Sequence, residues 1–210
     1  MDVFVIHMSR RTDRMLHLKK LQSKYPSIRF NIVNAITHPN PGQGCNLSHQ
    51  KIVQMAKDRN LPYVIVLEDD CDFLIPDKQL KEAFESCIKY LNDHPDVQII
   101  NGCGNLPEKK VDAMYFTETV RLFHATEILT THCMVYGATS YDTVLALTEE
   151  SGIIDSALND VCPHMLFTYP YLATQIPSYS DLQKTNVSYE NIKASTVSYT
   201  HLTLPTKRIV

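Results

Sequence analysis

The segment Tyr63-Val-Ile-Val-Leu67 is an unbroken apolar run that stops on three consecutive acids, Glu68, Asp69 and Asp70. A short run rich in β-branched residues fits a strand buried on both faces, the kind found inside α/β sheets. In open sheets of that class, ligands collect outside the carboxyl ends of the strands. The three acids therefore fall where a site would be built. Like charges crowded there repel one another unless a cation offsets them, and an all-oxygen donor set suits Mg2+ or Mn2+. On the residues alone, the triplet reads equally as a solvated turn whose carboxylates cap the following helix.

The flanking pattern predicts the rest of an α/β fold. Val3 to Met8 reads as a strand, followed by Thr12 as N-cap of a helix with Met15, Leu18, Leu21 and Tyr25 on one face. Phe30 to Ile36 is a second strand. Pro39-Asn-Pro-Gly-Gln-Gly44 reads as a loop by its Pro and Gly content, leading into a helix from Asn46 to Asp58. After the acidic run come a helix from Asp77 to Leu91 and a strand from Val97 to Asn101. Met114 to Gly137 is rich in Thr, Tyr, Val, Phe and Ile, which predicts two strands, one of them antiparallel. Ser140 to Glu150 reads as a helix, Asp155 to Val161 as a short helix, and Leu166 to Ala173 as the last strand. This order predicts a mostly parallel central sheet flanked by helices, with one or two antiparallel strands in the back half.

With 210 residues, 44% of them hydrophobic, the chain can bury one good core and reads as one domain. A net charge of -3 gives no sign of nucleic acid or an anionic membrane as partner. The six cysteines include no C-x-x-C pair, so they read as buried thiols in a reducing compartment. No run approaches the ~18 apolar residues of a transmembrane segment. The expected location is cytoplasmic or intracellular, or peripheral to a membrane. The N-x-[ST] patterns at Asn46 and Asn186 read as chance matches. From Val197 to Thr206 the residues resemble the translation of a sequencing-library adapter, which predicts a domain over 1–196 and a non-biological tail over 197–210.

If the first and third strands are parallel, the Ser9-Arg-Arg-Thr-Asp-Arg14 loop shares a sheet edge with the acids. Arg10, Arg11 and Arg14 could then face a diphosphate, since guanidinium groups pair with phosphate oxygens while a cation bridges them. The alternative is a solvated helix start, although positive charge at a helix N-terminus is mildly unfavourable. His49 shares a stripe with Ile52, Val53 and Ala56, as a satisfied core histidine would. Ser48 and His49 also follow a Gly-rich segment expected to end at a helix N-terminus, whose free backbone donors can bind an anion or a sugar hydroxyl.

Taken in order, Val5-Ile-His-Met-Ser-Arg-Arg-Thr-Asp-Arg14, Asn34-Ala35, Gly44-Cys-Asn-Leu-Ser-His49 and Val66-Leu-Glu-Asp-Asp70 resemble the motifs of glycosyltransferase family 25. That family includes lipooligosaccharide and collagen galactosyltransferases. The similarity continues weakly through Gly137-Ala138, Asp155 and the Gln175 to Asp181 segment. His7 departs from the pattern, which usually has Asn there, and the back half matches least.

The resemblance implies a GT-A fold, a nucleotide-sugar donor such as a UDP-sugar, a glycan, lipid-linked saccharide or protein acceptor, and inversion at the anomeric carbon. It casts Glu68, Asp69 and Asp70 as the acidic metal motif, with Asp70 and Glu68 holding Mn2+ or Mg2+ and Asp69 near the donor. Arg10, Arg11, Arg14, Ser48 and His49 would line the donor site. Asp155 would be the general base that deprotonates the acceptor hydroxyl, with Asp160 as its rival, and Asp181 would orient substrate. Two other readings stay open. A nucleotidyltransferase or another metal-dependent nucleotide enzyme could use the same charges, although no P-loop occurs. A non-catalytic binding protein could retain the fold.

Overall fold

The structure is a computed structural model that describes residues 1–106, 111, 113–180 and 183–188. Asp181 and the segment 197–210 lie outside the described residues. In chain order the elements are β1 (Asp2–His7), α1 (Thr12–Lys24), β2 (Arg29–Asn34), α2 (Pro41–Asp58), β3 (Tyr63–Glu68), β4 (Cys71–Phe73) and α3 (Asp77–Asp93). These are followed by β5 (Ile99–Asn101), β6 (Ala113–Phe116), β7 (Arg121–His124), β8 (Cys133–Gly137), α4 (Tyr141–Leu145) and α5 (Ile154–Val161). The last elements are β9 (Leu166–Tyr169), β10 (Ala173–Gln175), β11 (Ser178–Ser180) and β12 (Thr185–Val187).

A mixed eight-stranded sheet in the order β2-β1-β3-β8-β5-β9-β7-β6 forms the centre. The pairs β1/β2, β1/β3 and β5/β9 are parallel. β8 enters antiparallel between β3 and β5, and β7 runs against both β9 and β6. Two strands therefore oppose the direction of the rest, both in the back half. β3 is buried on both faces, as its unbroken apolar run requires. Ile65 and Leu67 join the core beneath α1 and α3 with Leu18, Leu21, Leu80 and Phe84. Val64 and Val66 join the opposite core beneath α2, α4 and α5 with Ile52, Val53, Val144 and Leu158.

Several expected boundaries shift. α1 is preceded by Arg11 with no side-chain cap, so Thr12 is its first residue and not its N-cap. The Pro- and Gly-rich loop is shorter than predicted because α2 already begins at Pro41. The Asn40 side chain accepts a hydrogen bond from the Gly42 amide at 3.0 Å, and Pro41 brings its preset φ to the first turn. Gly44 is needed for contact: a Cβ there would lie 2.9 Å from the Ile36 carbonyl oxygen. His49 therefore stands in the third helical turn, away from the free amides of the helix start. In the back half, three strands replace the expected two. The helix predicted over 140–150 is only α4, flanked by single 3-10 turns at Ala138–Ser140 and Glu149–Ser151. The last predicted strand divides after Tyr169, where Pro170 has no amide to pair.

Candidate active site

Parallel pairing of β1 with β3, with Ile6 opposite Glu68, brings the arginine loop and the acids to one rim. Glu68 ends β3 and Asp69 and Asp70 form the turn into β4, and the three side chains find different partners. Asp69 turns toward β1 and α1. Its Oδ2 accepts from the Met8 amide at 3.2 Å and pairs with His7 Nδ1 at 2.9 Å, and its Oδ1 accepts from Arg14 Nη1 at 2.5 Å. Asp69 is 4% exposed and both its oxygens are engaged within the protein. Arg14 also lies 3.1 Å from Asp70 Oδ2 and donates to Ser178 Oγ at 3.0 Å and to the Tyr179 carbonyl at 3.3 Å. Burial alone would lower the Arg14 pKa, but the Asp70 and Asp69 carboxylates reverse this and raise it.

Glu68 faces the other way, and Asp70 lies between the two sides, its Oδ2 shared by Arg14 and β10. The β4/β10 ladder sets Gln175 opposite Cys71, and Gln175 Nε2 donates to Asp70 Oδ2 at 3.3 Å. Asp70 Oδ1 is buried and has no partner among the described residues. Burial, then the neighbouring Glu68 charge, push the Asp70 carboxyl up to about 7. Glu68 Oε1 accepts from Thr131 Oγ1 at 2.8 Å and lies 3.7 Å from His49 Nε2. Burial would raise the Glu68 pKa, but His49, His132 and Thr131 outweigh it and draw the carboxyl down to about 2.

His49 is fully buried. Its Nδ1 shares a 3.0 Å hydrogen bond with the Tyr136 hydroxyl, and its Nε2 has no partner among the described residues. One helical turn earlier, Cys45 stands on the same face of α2, and single donor atoms of Cys45, His49 and Glu68 lie within 4.8 Å of one another. Burial raises the Cys45 thiol pKa, with further contributions from the Glu68, Asp155 and Asp70 carboxylates, so these acids share one electrostatic environment.

The Thr130–Thr131 turn closes the same side. Thr130 has φ +74°, a left-handed conformation that strains a β-branched residue. It is held by Asn101 Nδ2, which donates to the Thr130 carbonyl at 2.7 Å, and by Asp155 Oδ2, which accepts from the Thr130 amide at 3.4 Å. Such strain at a rim is typical of functional sites, and here it presents Thr131 to Glu68. His132 follows, buried, its imidazole pushed down to about 4 chiefly by burial.

The remaining predicted residues fall into three positions. Asp155 stands in the first turn of α5, beside the Thr130 turn. Asp160 is exposed on a different face of the same helix, while Asn159 packs back against Ile128 and Asp155. The Ser48 hydroxyl donates to the Gly44 carbonyl at 2.6 Å and accepts from the Ile36 amide at 2.8 Å. Ser48 therefore ties α2 to the chain leaving β2. Arg11 pairs with Asp13 at 2.8 Å and donates to the Tyr179 carbonyl at 3.0 Å, while Arg10 is exposed on the loop. Asn46 is 3% exposed; its side chain accepts from the Ile154 amide at 2.8 Å and donates to the Gly152 carbonyl at 2.7 Å.

Cys45, Tyr136, Thr131, His132 and Gln175 were not singled out by sequence reasoning. Of these, only Cys45 carried a usable signal. Its spacing of four from His49 marks a shared helix face once α2 is known to start at Pro41.

Among the described residues no helix is long and apolar enough to cross a membrane. No curated protein matches the sequence at a significant level. Among solved structures, the galactosyltransferase LgtC in complex with donor and acceptor sugar analogs matches with a TM-score of 0.52 at 10% identity, covering 99% of this chain and 98% of that one. A glycosyltransferase involved in the glycosylation of the major capsid of PBCV-1 matches with a TM-score of 0.50 at 10% identity, covering 92% of this chain and 98% of that one. At such identity these similarities establish the fold, which is GT-A. Residues 39–142, spanning α2, the acidic triplet and the Thr130 turn, match the family model for Glycosyltransferase family 25 (LPS biosynthesis protein). This chain is a family 25-like glycosyltransferase.

Proposed function

We propose that this glycosyltransferase moves a sugar, galactose, from a UDP-sugar to a hydroxyl of a glycan, lipooligosaccharide or protein, with inversion and with help from Mn2+ or Mg2+. The observation that carries the reading is the buried Oδ1 of Asp70, without a partner among the described residues, next to Glu68 and within the stretch that matches the family. A carboxyl raised to about 7 by burial and then by a neighbouring carboxylate fits a hard divalent cation. Asp70 and Glu68 would hold it, and when bound it would neutralise charge on the departing diphosphate.

The protein's own groups divide the remaining work. Gln175 and Arg14 fix the Asp70 carboxylate, and Thr131 fixes Glu68. Arg10 and Arg11, on the loop at this rim, supply positive charge for the diphosphate. Asp155 takes the proton of the acceptor hydroxyl. It accepts from the Thr130 amide, next to the Thr131 that donates to Glu68, whereas Asp160 is exposed on another face. Asp69 and Ser48 hold the scaffold and make no donor contact in this reading. Asp181, assigned to substrate orientation, lies outside the described residues. Residues 1–196 form the catalytic domain, and 197–210 take no part.

The test is hydrolysis and transfer across a panel of nucleotide sugars, with and without Mn2+, for the wild type and Asp70→Ala. Metal-dependent use of one donor, reduced on the order of 10²–10³-fold in the variant, is the expected result. Equal activity after chelation would overturn the metal assignment, and normal turnover in Asp155→Asn would remove it as the base.

A further inference from the structure

We infer that Cys45, His49 and Glu68 form a second cation site, selective for a thiophilic divalent ion of the zinc class and distinct in ligand chemistry from the Glu68–Asp70 pair. The site follows from local geometry. Because α2 begins at Pro41, Cys45 and His49 sit one turn apart on a regular helix and face the end of β3, where Glu68 emerges. One ligand atom from each lies within 4.8 Å of the other two.

His49 is the independent pointer to a ligand. Its ring is 0% exposed, and its Nε2 is buried without a partner among the described residues. The nearest carboxylate oxygen, Glu68 Oε1, lies at 3.7 Å, too far for a hydrogen bond. A buried imidazole nitrogen left in that state is unfavourable, and a bound cation satisfies it. The opposite ring nitrogen is already positioned by the Tyr136 hydroxyl at 3.0 Å, as the outer partners of metal-bound histidines position theirs.

Thiolate, imidazole and carboxylate together make a three-ligand set with an open fourth position, the arrangement of zinc sites that admit water or substrate. Sulfur and nitrogen donors favour zinc-class ions over Mn2+ and Mg2+. Cys45 is only partly buried, so an ion has access from the rim. Binding releases the thiol proton to solvent as the sulfur becomes a thiolate.

The site stands apart from the proposed transfer reaction, and one consequence links them. Glu68 belongs to both ligand sets, so an ion on Cys45 and His49 withdraws Glu68 from the Asp70 side and inhibits transfer.

The test uses Co2+ as a spectroscopic probe of the full chain. The expected result is a thiolate-to-cobalt charge-transfer band together with intense tetrahedral d–d bands. Zn2+ should displace both, and Cys45→Ser should abolish the charge-transfer band while far-UV circular dichroism is unchanged. Tyr136→Phe should retain the band but weaken cobalt affinity about tenfold. Asp70→Ala should leave the cobalt spectrum intact, so failure of the transferase reading and failure of this site can be told apart. A wild-type spectrum without thiolate charge transfer overturns the proposal. So does a charge-transfer band that survives Cys45→Ser, which would place the ion on another of the six thiols.

Discussion

Asp69 and Asp70 are neighbours in sequence with the same charge and nearly the same burial, at 4% and 6% exposure, and Arg14 touches both, yet among the described residues only Asp69 has both oxygens partnered. On the β1/α1 side, both Asp69 oxygens are taken up by His7, Met8 and Arg14. On the β10/α2 side, Asp70 Oδ1 and His49 Nε2 are buried without partners among the described residues. A saturated buried carboxylate holds a fold together, whereas an unsaturated one beside an unpaired imidazole marks where something binds. The turn between β3 and β4 is what sends these adjacent acids to different partners.

The sharpest break of this comparison is the pair Asp70→Ala and Asp69→Ala. The first should lose transfer while remaining folded. The second leaves the buried Arg14 guanidinium short of its closest carboxylate, a loss of roughly 3 kcal/mol. It should therefore lower the urea midpoint far more than Asp70→Ala does. Equal destabilisation by both would erase the distinction.

Next comes acid sensitivity on the unsatisfied side. His132 holds its proton only below about 4 when folded, against an ordinary 6.5. Between these values the unfolded chain binds a proton that the folded chain does not, so His132 removes stability as pH falls from 6.5 to about 4. Below that window both states are protonated and the contribution is constant. Unfolding free energies measured from pH 7 to 4 should fall less steeply in His132→Gln; identical slopes would count against a neutral buried His132.

Gly44→Ala probes the support of α2, which carries Cys45 and His49. Its Cβ would meet the Ile36 backbone oxygen at 2.9 Å, an overlap that destabilises by about 1–2 kcal/mol. Thermal unfolding should show a modest drop, with cobalt binding weakened alongside it if the helix shifts. An unchanged melting temperature would mean that the chain after β2 yields freely.

The frame and the position of the rim are legible in the local pattern of residues. β3 was legible because a strand buried on both faces must be apolar throughout, and α1 and α3 because their apolar spacing matches a helix turn. The arginine loop and the acids were predicted to share an edge if β1 and β3 are parallel, and they do. How the acids divide came from the folded chain, because it depends on partners distant in sequence: His7 and Arg14 for Asp69, Arg14 and Gln175 for Asp70, and Thr131 for Glu68. The folded chain also decided that Pro41 to Gly44 are helical. Proline and glycine content marks turns on average, but the Asn40 cap and the close approach of Gly44 to Ile36 favour the helix here. Asp155 and Asp160 are indistinguishable as letters; a short helix places one against the Thr130 turn and leaves the other exposed on another face. Local pattern records the periodicity of burial, whereas a site is made of contacts between segments that the pattern does not connect.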